Sequence, residues 1–449
     1  MSADLCFVAM PFGVKDNAGR TVDFDQVYAQ LIAPAVSGAG LQPLRADQEE
    51  VGGIIHKPMF ERLLLCRYAV VDLTFANANV FYELGVRHAA RPASTLLIVA
   101  DEVRLPFDVA LLRTMPYRLT KEGTPSKPAE DATTLRKLLQ ACVRAQGTDS
   151  PVYQLVDGIA PPSVPSDKTD VFRSLVAYAT EKKEALADAR ARGKAGKADL
   201  DGIRASLGAL HGAESGVLID LMLSYRAVSD WAAMASLIAE MPETLRLTVM
   251  VQEQLAFALN RLGRRQEAKE TLLALIKARG PSSETLGILG RVYKDLWDEA
   301  KNAGEKFKAS GYLGQAIDAY RRGFEADWRD QYPGINAVTL MEMTDPPDSA
   351  QAQLLPVVRY AVERRLSSGK SDYWDVATLL ELAILADDRP GAHAALGRSL
   401  AMVREAWEPE TTARNLRLIR EARTRRGVVV DWIGEIEQEL EREVARRQG

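Results

Sequence analysis

A parallel α/β domain followed by an all-helical, repeat-like domain is the fold class this sequence predicts. Three observations carry that expectation. Residues 1–120 alternate short β-type runs with stretches of helical period, the pattern of a parallel sheet with flanking crossover helices. Beyond Val171 strand signals almost vanish and helix formers run on to the last residue, so 171–449 reads as all-α. Within that stretch small and large apolar residues alternate as they do in stacked helix pairs, with part of a period near 34 residues.

The elements follow in order. Leu5–Met10 is the first strand, broken by Pro11-Phe12-Gly13. Asp25–Ala39 carries Val27, Leu31, Ile32 and Val36 near helical period, and Gly38 and Gly40 close it. Leu41–Arg45 is the second strand. The helix Lys57–Cys66 leads into Tyr68–Leu73, a continuous apolar run ending beside an acid, as in a buried strand whose end lies at a functional edge. A helix from Val80 to Ala90, the strand Thr95–Ala100, a short helix at Pro106-Phe107-Asp108 and a last strand at Arg113–Tyr117 complete the domain.

Residues 121–170 shift to Pro, Ser, Thr, Asp and Lys, with one helical island at Ala132–Arg144, and read as a hinge. In the helical domain, Leu255–Ala258, Leu262-Gly263, Ala268, Leu272 and Pro281 follow the alternation of a tetratricopeptide unit. A second unit fits Leu286–Gly290, Tyr293, Ala316, Tyr320 and Phe324 if Asp298–Ser310 is an insertion. Asp372–Met402 and Glu408–Arg447 continue as amphipathic helices, the last a charged cap.

Composition narrows the functional classes. The net charge of −4 provides no broad field for nucleic acid or anionic lipid, so neither partner is expected. Cys6, Cys66 and Cys142 have the spacing of neither a zinc site nor a disulfide framework, which predicts no metal and a reducing, cytoplasmic setting. The N-terminus lacks the pattern of a secretory leader, and no run approaches a membrane span.

The stretch Asp72–His88 carries the candidate chemistry. It joins the end of a buried strand to a helix N-terminus, the place where open α/β sheets bind ligands. With Asn79 as the cap, Glu83 falls in the first turn, where the helix dipole favours an ionised carboxylate. Such a carboxylate beside an anomeric carbon acts as nucleophile or stabilises an oxocarbenium-like state. Asp72, Asn77 and Asn79 have the groups to hold ribose hydroxyls, and Tyr82 or Phe12 could stack on a base. Met10, Pro11 and Phe12 form a candidate pocket wall, and His88 closes the stretch. A plainer reading stands beside this one. Asn77 and Asn79 are turn and cap residues, Glu83 pairs with Arg87 at i,i+4, Asp72 caps a turn and His88 is structural. Gly52-Gly53, His56 and Lys57 are weak phosphate signals for want of a phosphate-loop lysine and serine.

Phe7–Gly13, Tyr68–Thr74 and Asn77–Gly85 together resemble the superfamily of nucleoside 2-deoxyribosyltransferases and toll/interleukin-1-receptor-like domains. The resemblance covers residues 4–120 and implies a flavodoxin-like sheet with Glu83 as the catalytic glutamate. The transferases place a ribose-binding acid six residues earlier, where this chain has Asn77. The helical part resembles the TRAF-binding, tetratricopeptide-like central region of apoptosis signal-regulating kinases through Glu284–Asp295, Ala319–Glu325 and Gly334–Ala337. That likeness covers 170–440, and no kinase signature accompanies it.

Taken together, the resemblances imply a nucleotide N-glycosidase, with NAD+ as substrate rather than cofactor; the alternative is a non-catalytic nucleotide-sensing or scaffold protein acting through the helical domain. They also imply a helical module that binds a protein partner and forms homo-oligomers, as in bacterial signalling and conflict systems. The expected ligand is a nucleotide or nucleoside.

Overall fold

The structure is a computed structural model that describes residues 3–17, 20–45, 56–101, 103, 105–110, 112–144, 147–162, 178, 181–367 and 372–448. Gly52-Gly53 lie outside the described residues, as do the side chains of His56 and Lys57.

Seven strands are described: β1 (Asp4–Ala9), β2 (Val14–Asn17), β3 (Arg20–Asp23), β4 (Leu41–Arg45), β5 (Tyr68–Asp72), β6 (Thr95–Ala100) and β7 (Thr114–Tyr117). Five of them form one sheet in the order β4-β1-β5-β6-β7, with every neighbouring pair parallel. The order reverses between β1 and β5, which makes the carboxyl ends of those two strands the topological switch point.

Helices cover both faces of the sheet. The first, α1 (Phe24–Val27), passes through a π-helical turn at Tyr28–Ile32 into α2 (Ala33–Gly38). It is followed by α3 (His56–Leu65), α4 (Ala78–Ala90), α5 (Phe107–Ala110), α6 (Pro128–Arg144) and α7 (Pro151–Leu155). Strand alternation divides the core. Cys6, Val8, Met10, Val70, Ile98 and Tyr117 pack with residues of α1, α2 and α6 on one face. Leu5, Phe7, Ala9, Val71 and Leu97 pack with residues of α3 and α4 on the other. Strands buried on both faces are apolar throughout, which is why β5 was readable as an unbroken run.

Two features differ from the sequence expectation. An antiparallel hairpin, β2–β3, stands between β1 and α1 where only a turn was expected. Its Val14–Asn17 strand is exposed along its length and mostly polar, so no burial pattern announces it. The hairpin is tied to the rest of the domain where Arg20 reaches Asp101, just beyond β6, at 3.2 Å, and where the Asp23 N–H donates to the Gly123 carbonyl. The second difference concerns the hinge at 121–170. The helical island there is the longer α6, and Leu135 and Leu139 enter the same core as β1 and β5. Polar composition gives a poor account of a helix that buries only one narrow stripe.

The chain divides into two compact units, Met1–Asp230 with Glu240–Thr248, and Trp231–Ala239 with Val249–Gly449. Beyond the sheet the first unit continues with helix at 181–191, α8 (Lys197–Ser206) and α9 (Ser215–Ala227), and α10 (Trp231–Glu240) and α11 (Glu243–Arg246) follow. The second unit continues with α12 (Val249–Arg261), α13 (Arg265–Arg279), α14 (Ser283–Asn302), α15 (Lys306–Ala326) and α16 (Gln331–Glu342). It ends with α17 (Gln351–Ser367), α18 (Tyr373–Leu385), α19 (Arg389–Met402), α20 (Trp407–Arg425) and α21 (Asp431–Gln448). Asp298–Ser310, read as a polar insertion, is built into two long helices. It is the end of α14, a short turn at Gly304 and the start of α15, with the polar side chains facing solvent.

From α12 to α19 consecutive helices pack as neighbours, as do α20 and α21, and α12, α14, α16, α18 and α20 each touch the next in a single layer. Polar pairs cross that layer between helices. Thr285 donates to Glu253 and Asn260 to Asp295, joining α12 to α14. Gln331 meets Asp375, and Thr339 meets Glu381, joining α16 to α18. Asn415 donates to Glu381 from α20, and the Arg423 guanidinium sits 3.1 Å from Glu342.

Among the described residues no helix is long and apolar enough to cross a membrane.

Candidate functional site

The carboxyl end of β5 is held by a small buried network. Asp72 is fully buried, its Oδ1 accepting from the Thr74 N–H at 2.9 Å and its Oδ2 from the Tyr117 hydroxyl at 2.8 Å. Thr74 Oγ1 in turn accepts from the Ala100 N–H, so the ends of β5, β6 and β7 are locked together. Burial pushes the Asp72 carboxyl up to about 6, against the pull of those hydrogen bonds. Asp72 is therefore a structural clamp with both oxygens engaged inside the protein, and it is not offered to a ribose.

The chain then turns sharply. Phe75 and Ala76 both adopt left-handed backbone, at φ 67° and 48°, a conformation that costs a non-glycine residue free energy. Packing holds it there: the Phe75 ring meets Phe24 edge-on at 6.0 Å. Asn77, not Asn79, caps α4, accepting from the Asn79 and Val80 N–H groups at 2.9 and 3.3 Å. Asn79 is exposed.

Moving the cap back to Asn77 moves Glu83 deeper into the helix. It lies about one and a half turns in, beyond the reach of the terminal N–H groups that were expected to hold it ionised. Glu83 is only 9% exposed, and no described residue makes a hydrogen bond or ion pair with its carboxyl. Burial alone pushes that carboxyl up from 4.5 to about 7.

Arg87, one turn on along the same side of α4, does not pair with it. Its guanidinium donates to the carbonyls of Leu63, Cys66 and Arg67 at the end of α3 and to Thr95 Oγ1. The i,i+4 ion pair of the plainer reading does not form, and the Glu83 side of α4 faces α3. Tyr82 is 56% exposed, with its ring 6.4 Å from that of Phe60 on α3.

On the β1 side of the switch point, Pro11 and Phe12 are held by a residue the sequence did not single out. The Arg45 guanidinium lies 5.6 Å from the Phe12 ring centroid and 4.9 Å from that of Tyr28, bonds Asp25 at 2.7 Å and reaches the Pro11 carbonyl. Arg45 in turn holds the Asp25 carboxyl below its ordinary range.

Two expected members do not join the site. Met10 is 2% exposed and points into the core shared with α1, α2 and α6, the opposite face of the sheet from α4. His88 lies in the last turn of α4, about 15 Å along the axis from the first residue, near the other sheet edge. Burial and the nearby Arg87 charge lower its pKa to about 4, so the imidazole is neutral near pH 7. The structure thus gathers Pro11, Phe12, Asn77 and Asn79 at the carboxyl edge of the sheet, with Glu83 and Tyr82 further along α4. No group of three or more metal-ligating side chains occurs among the described residues.

The carboxyl of Glu83 provides a direct test of its environment. An acid whose folded-state pKa lies above its unfolded value favours folding most below pH 4.5 and loses that advantage as pH rises towards 7. Glu83→Gln is expected to stabilise the protein by about 2–3 kcal/mol above pH 7 and by nothing near pH 4. Urea denaturation of both proteins across that pH range measures the difference.

The family model described as the MAP3K TRAFs-binding domain matches residues 80–432, beginning inside α4 and running into α21. Mitogen-activated protein kinase kinase kinase nsy-1 of Caenorhabditis elegans is 31% identical over 224 residues, 44% of this chain and 14% of the relative. Human mitogen-activated protein kinase kinase kinase 6 is 28% identical over 354 residues, 71% of this chain and 26% of the relative. Human mitogen-activated protein kinase kinase kinase 5 is 24% identical over 417 residues, 82% of this chain and 29% of the relative. The chain spans less than a third of the length of each of these relatives. Among solved structures, a thermophilic TPR protein of Thermus thermophilus is 16% identical and covers 45% of this chain, with a TM-score of 0.34.

Proposed function

Because the chain belongs to the MAP3K TRAFs-binding domain family over residues 80–432, we propose that it is a regulatory protein whose helical unit docks a protein partner and whose α/β unit acts on a nucleotide. Docking rests on the family match. The chemistry rests on one observation, the buried Glu83 carboxyl that no described protein group engages.

In this reading Glu83 attacks or stabilises the anomeric carbon as the N-glycosidic bond of the nucleotide breaks. NAD+ is the first substrate to consider. Its nicotinamide leaves as a neutral base from a cationic nucleotide, so departure requires no strong general acid, which suits a site with a single unengaged carboxylate. Asn79 and the amide nitrogen of Asn77 would hold ribose hydroxyls, and Phe12 or Tyr82 would stack on a base. The kinase activity of the relatives is not part of the proposal, since the chain carries no kinase signature.

The reaction is tested by incubating the full chain with NAD+ and following nicotinamide release beside Glu83→Gln. Turnover is expected to fall at least 100-fold in the variant and to rise with pH through about 7 as Glu83 ionises. Equal release by both proteins, or none by the parent, would sink the enzymatic reading.

A second reading is favoured by Asp72, whose two oxygens are already committed to Thr74 and Tyr117. A site without a ribose-holding acid suits recognition of a nucleotide that stays intact, its occupancy relayed to the partner. Calorimetry with a nucleotide panel separates the two, because tight binding with no product formed supports only this one.

A further inference from the structure

The helical unit carries a cation that its own fold does not neutralise. Lys294 lies in α14 and is only 8% exposed, yet no described residue forms a hydrogen bond or an ion pair with its ammonium. Its Nζ keeps an opening to solvent, but an ammonium so largely withdrawn from water without a protein partner is costly, and proteins seldom keep one unless something else completes it. The neighbouring charges are Arg291 and Asp298, one turn to either side on α14, with Glu381 on α18 and Arg414 on α20.

None of the four satisfies it. Arg291 is paired with Asp295. Glu381 is held by Thr339 and Asn415, and it influences Lys294 only from beyond ion-pair reach. Asp298 forms no hydrogen bond or ion pair and acts on Lys294 only from beyond ion-pair reach, and Arg414 is exposed and forms neither. Burial and the Arg291 charge lower the Lys294 pKa, the direction expected of an ammonium waiting for an anion.

We propose that Lys294 and Arg414 together receive an acidic side chain of a partner protein, docked across the layer formed by α14, α18 and α20. The two cations come from different helices, and neither is spent within the fold. Asp298 on the same face disfavours a second acid next to the first, so the expected motif is a single acidic anchor with neutral or basic neighbours rather than an acidic run. A partner carboxylate would convert an expensive buried charge into a paired one, so most of the binding free energy would sit at one position. This inference rests on the docking role proposed for the helical unit and names the chemistry of its partner.

The test pans a phage-displayed library of random dodecapeptides against the full chain. The enriched peptides are then synthesised and their affinities measured by fluorescence anisotropy. Enriched peptides are expected to share one Asp or Glu, and to bind at least tenfold more weakly when it is replaced by the corresponding amide. The same loss is expected on Lys294→Met, and a smaller one on the exposed Arg414→Ala, both checked for unchanged helical circular dichroism. Peptides that bind Lys294→Met as well as the parent, or that share no acid, overturn the inference while leaving the docking role standing. A library that enriches nothing overturns the docking role together with it.

Discussion

Gly290→Val is expected to destroy cooperative folding of the helical unit. A Cβ at Gly290 would lie 2.7 Å from Cγ and Cδ1 of the Tyr320 ring, closer than real side chains approach. The ring has no room to yield. Tyr320 is fully buried in α15, with its ring edge-on to Tyr332 at 6.0 Å and its hydroxyl 3.5 Å from the Tyr332 hydroxyl. Alanine alone is expected to cost about 1–3 kcal/mol through overpacking, and valine adds two methyl groups to the same collision. Gly311→Ala serves as the control. It is a helical glycine in α15 with no atom within 4 Å of its would-be Cβ, so helix propensity alone applies and a gain of about 1 kcal/mol is expected. Thermal melts followed at 222 nm should therefore move in opposite directions for the two alanine variants. A Gly290→Ala protein melting with the parent would show that α14 and α15 do not meet as described.

Arg87→Met is the second large effect. The buried guanidinium ties the end of α3 to α4 and β6 by satisfying three backbone carbonyls and Thr95. Carbonyls at a helix end have no partner within the helix, and a cation there also meets the favourable end of the helix dipole. A thioether fills much of the volume and satisfies none of them, so about 3–5 kcal/mol should be lost. Thiol titration measures the consequence. Cys6 and Cys66 are buried and Cys142 is half-buried, so Cys142 should react first in the parent and all three rapidly in the variant. Unchanged protection of Cys66 would contradict the prediction.

Much of the sheet could be read from sequence because buried parallel strands must be apolar throughout. Leu5–Met10, Tyr68–Leu73 and Thr95–Ala100 are such runs, and Gly or Pro punctuates their surroundings. The β2–β3 hairpin escaped because a strand that buries little carries no alternation to detect. Asn77 and Asn79 are equally good caps on paper, and choosing the later one shifted Glu83 by half a turn and changed the electrostatics assigned to it. The commitment of Asp72 was invisible for a different reason. Its partner Tyr117 lies 45 residues away and is brought near only by the sheet order. Arg45 was likewise legible only as the last residue of a strand, with nothing local to indicate that it would anchor Phe12 and Asp25.

In the helical unit the family-level likeness was legible over long segments, as the match to 80–432 bears out, because glycines that let helices approach and the aromatics that fill against them, such as Gly290 with Tyr320 and Gly334 with Phe324, stand out in the sequence. Lys294 gave no such signal. A lysine in an amphipathic helix is ordinarily a solvated residue, and only the packing of α18 and α20 around it makes it otherwise.

The polar pairs that cross from α12 to α20 bear on how such a protein can change over evolutionary time. In an array whose joints are all oily and alike, a helix pair can be duplicated, deleted or exchanged and the ends will still adhere. Here each joint has its own lock and key, a glutamate for one threonine, a glutamine for one aspartate, an arginine two helices away for one glutamate. Removing or inserting a pair would strand several of these groups in the dry interior at once, so this array is fixed in number and order, and its surface can diversify only residue by residue.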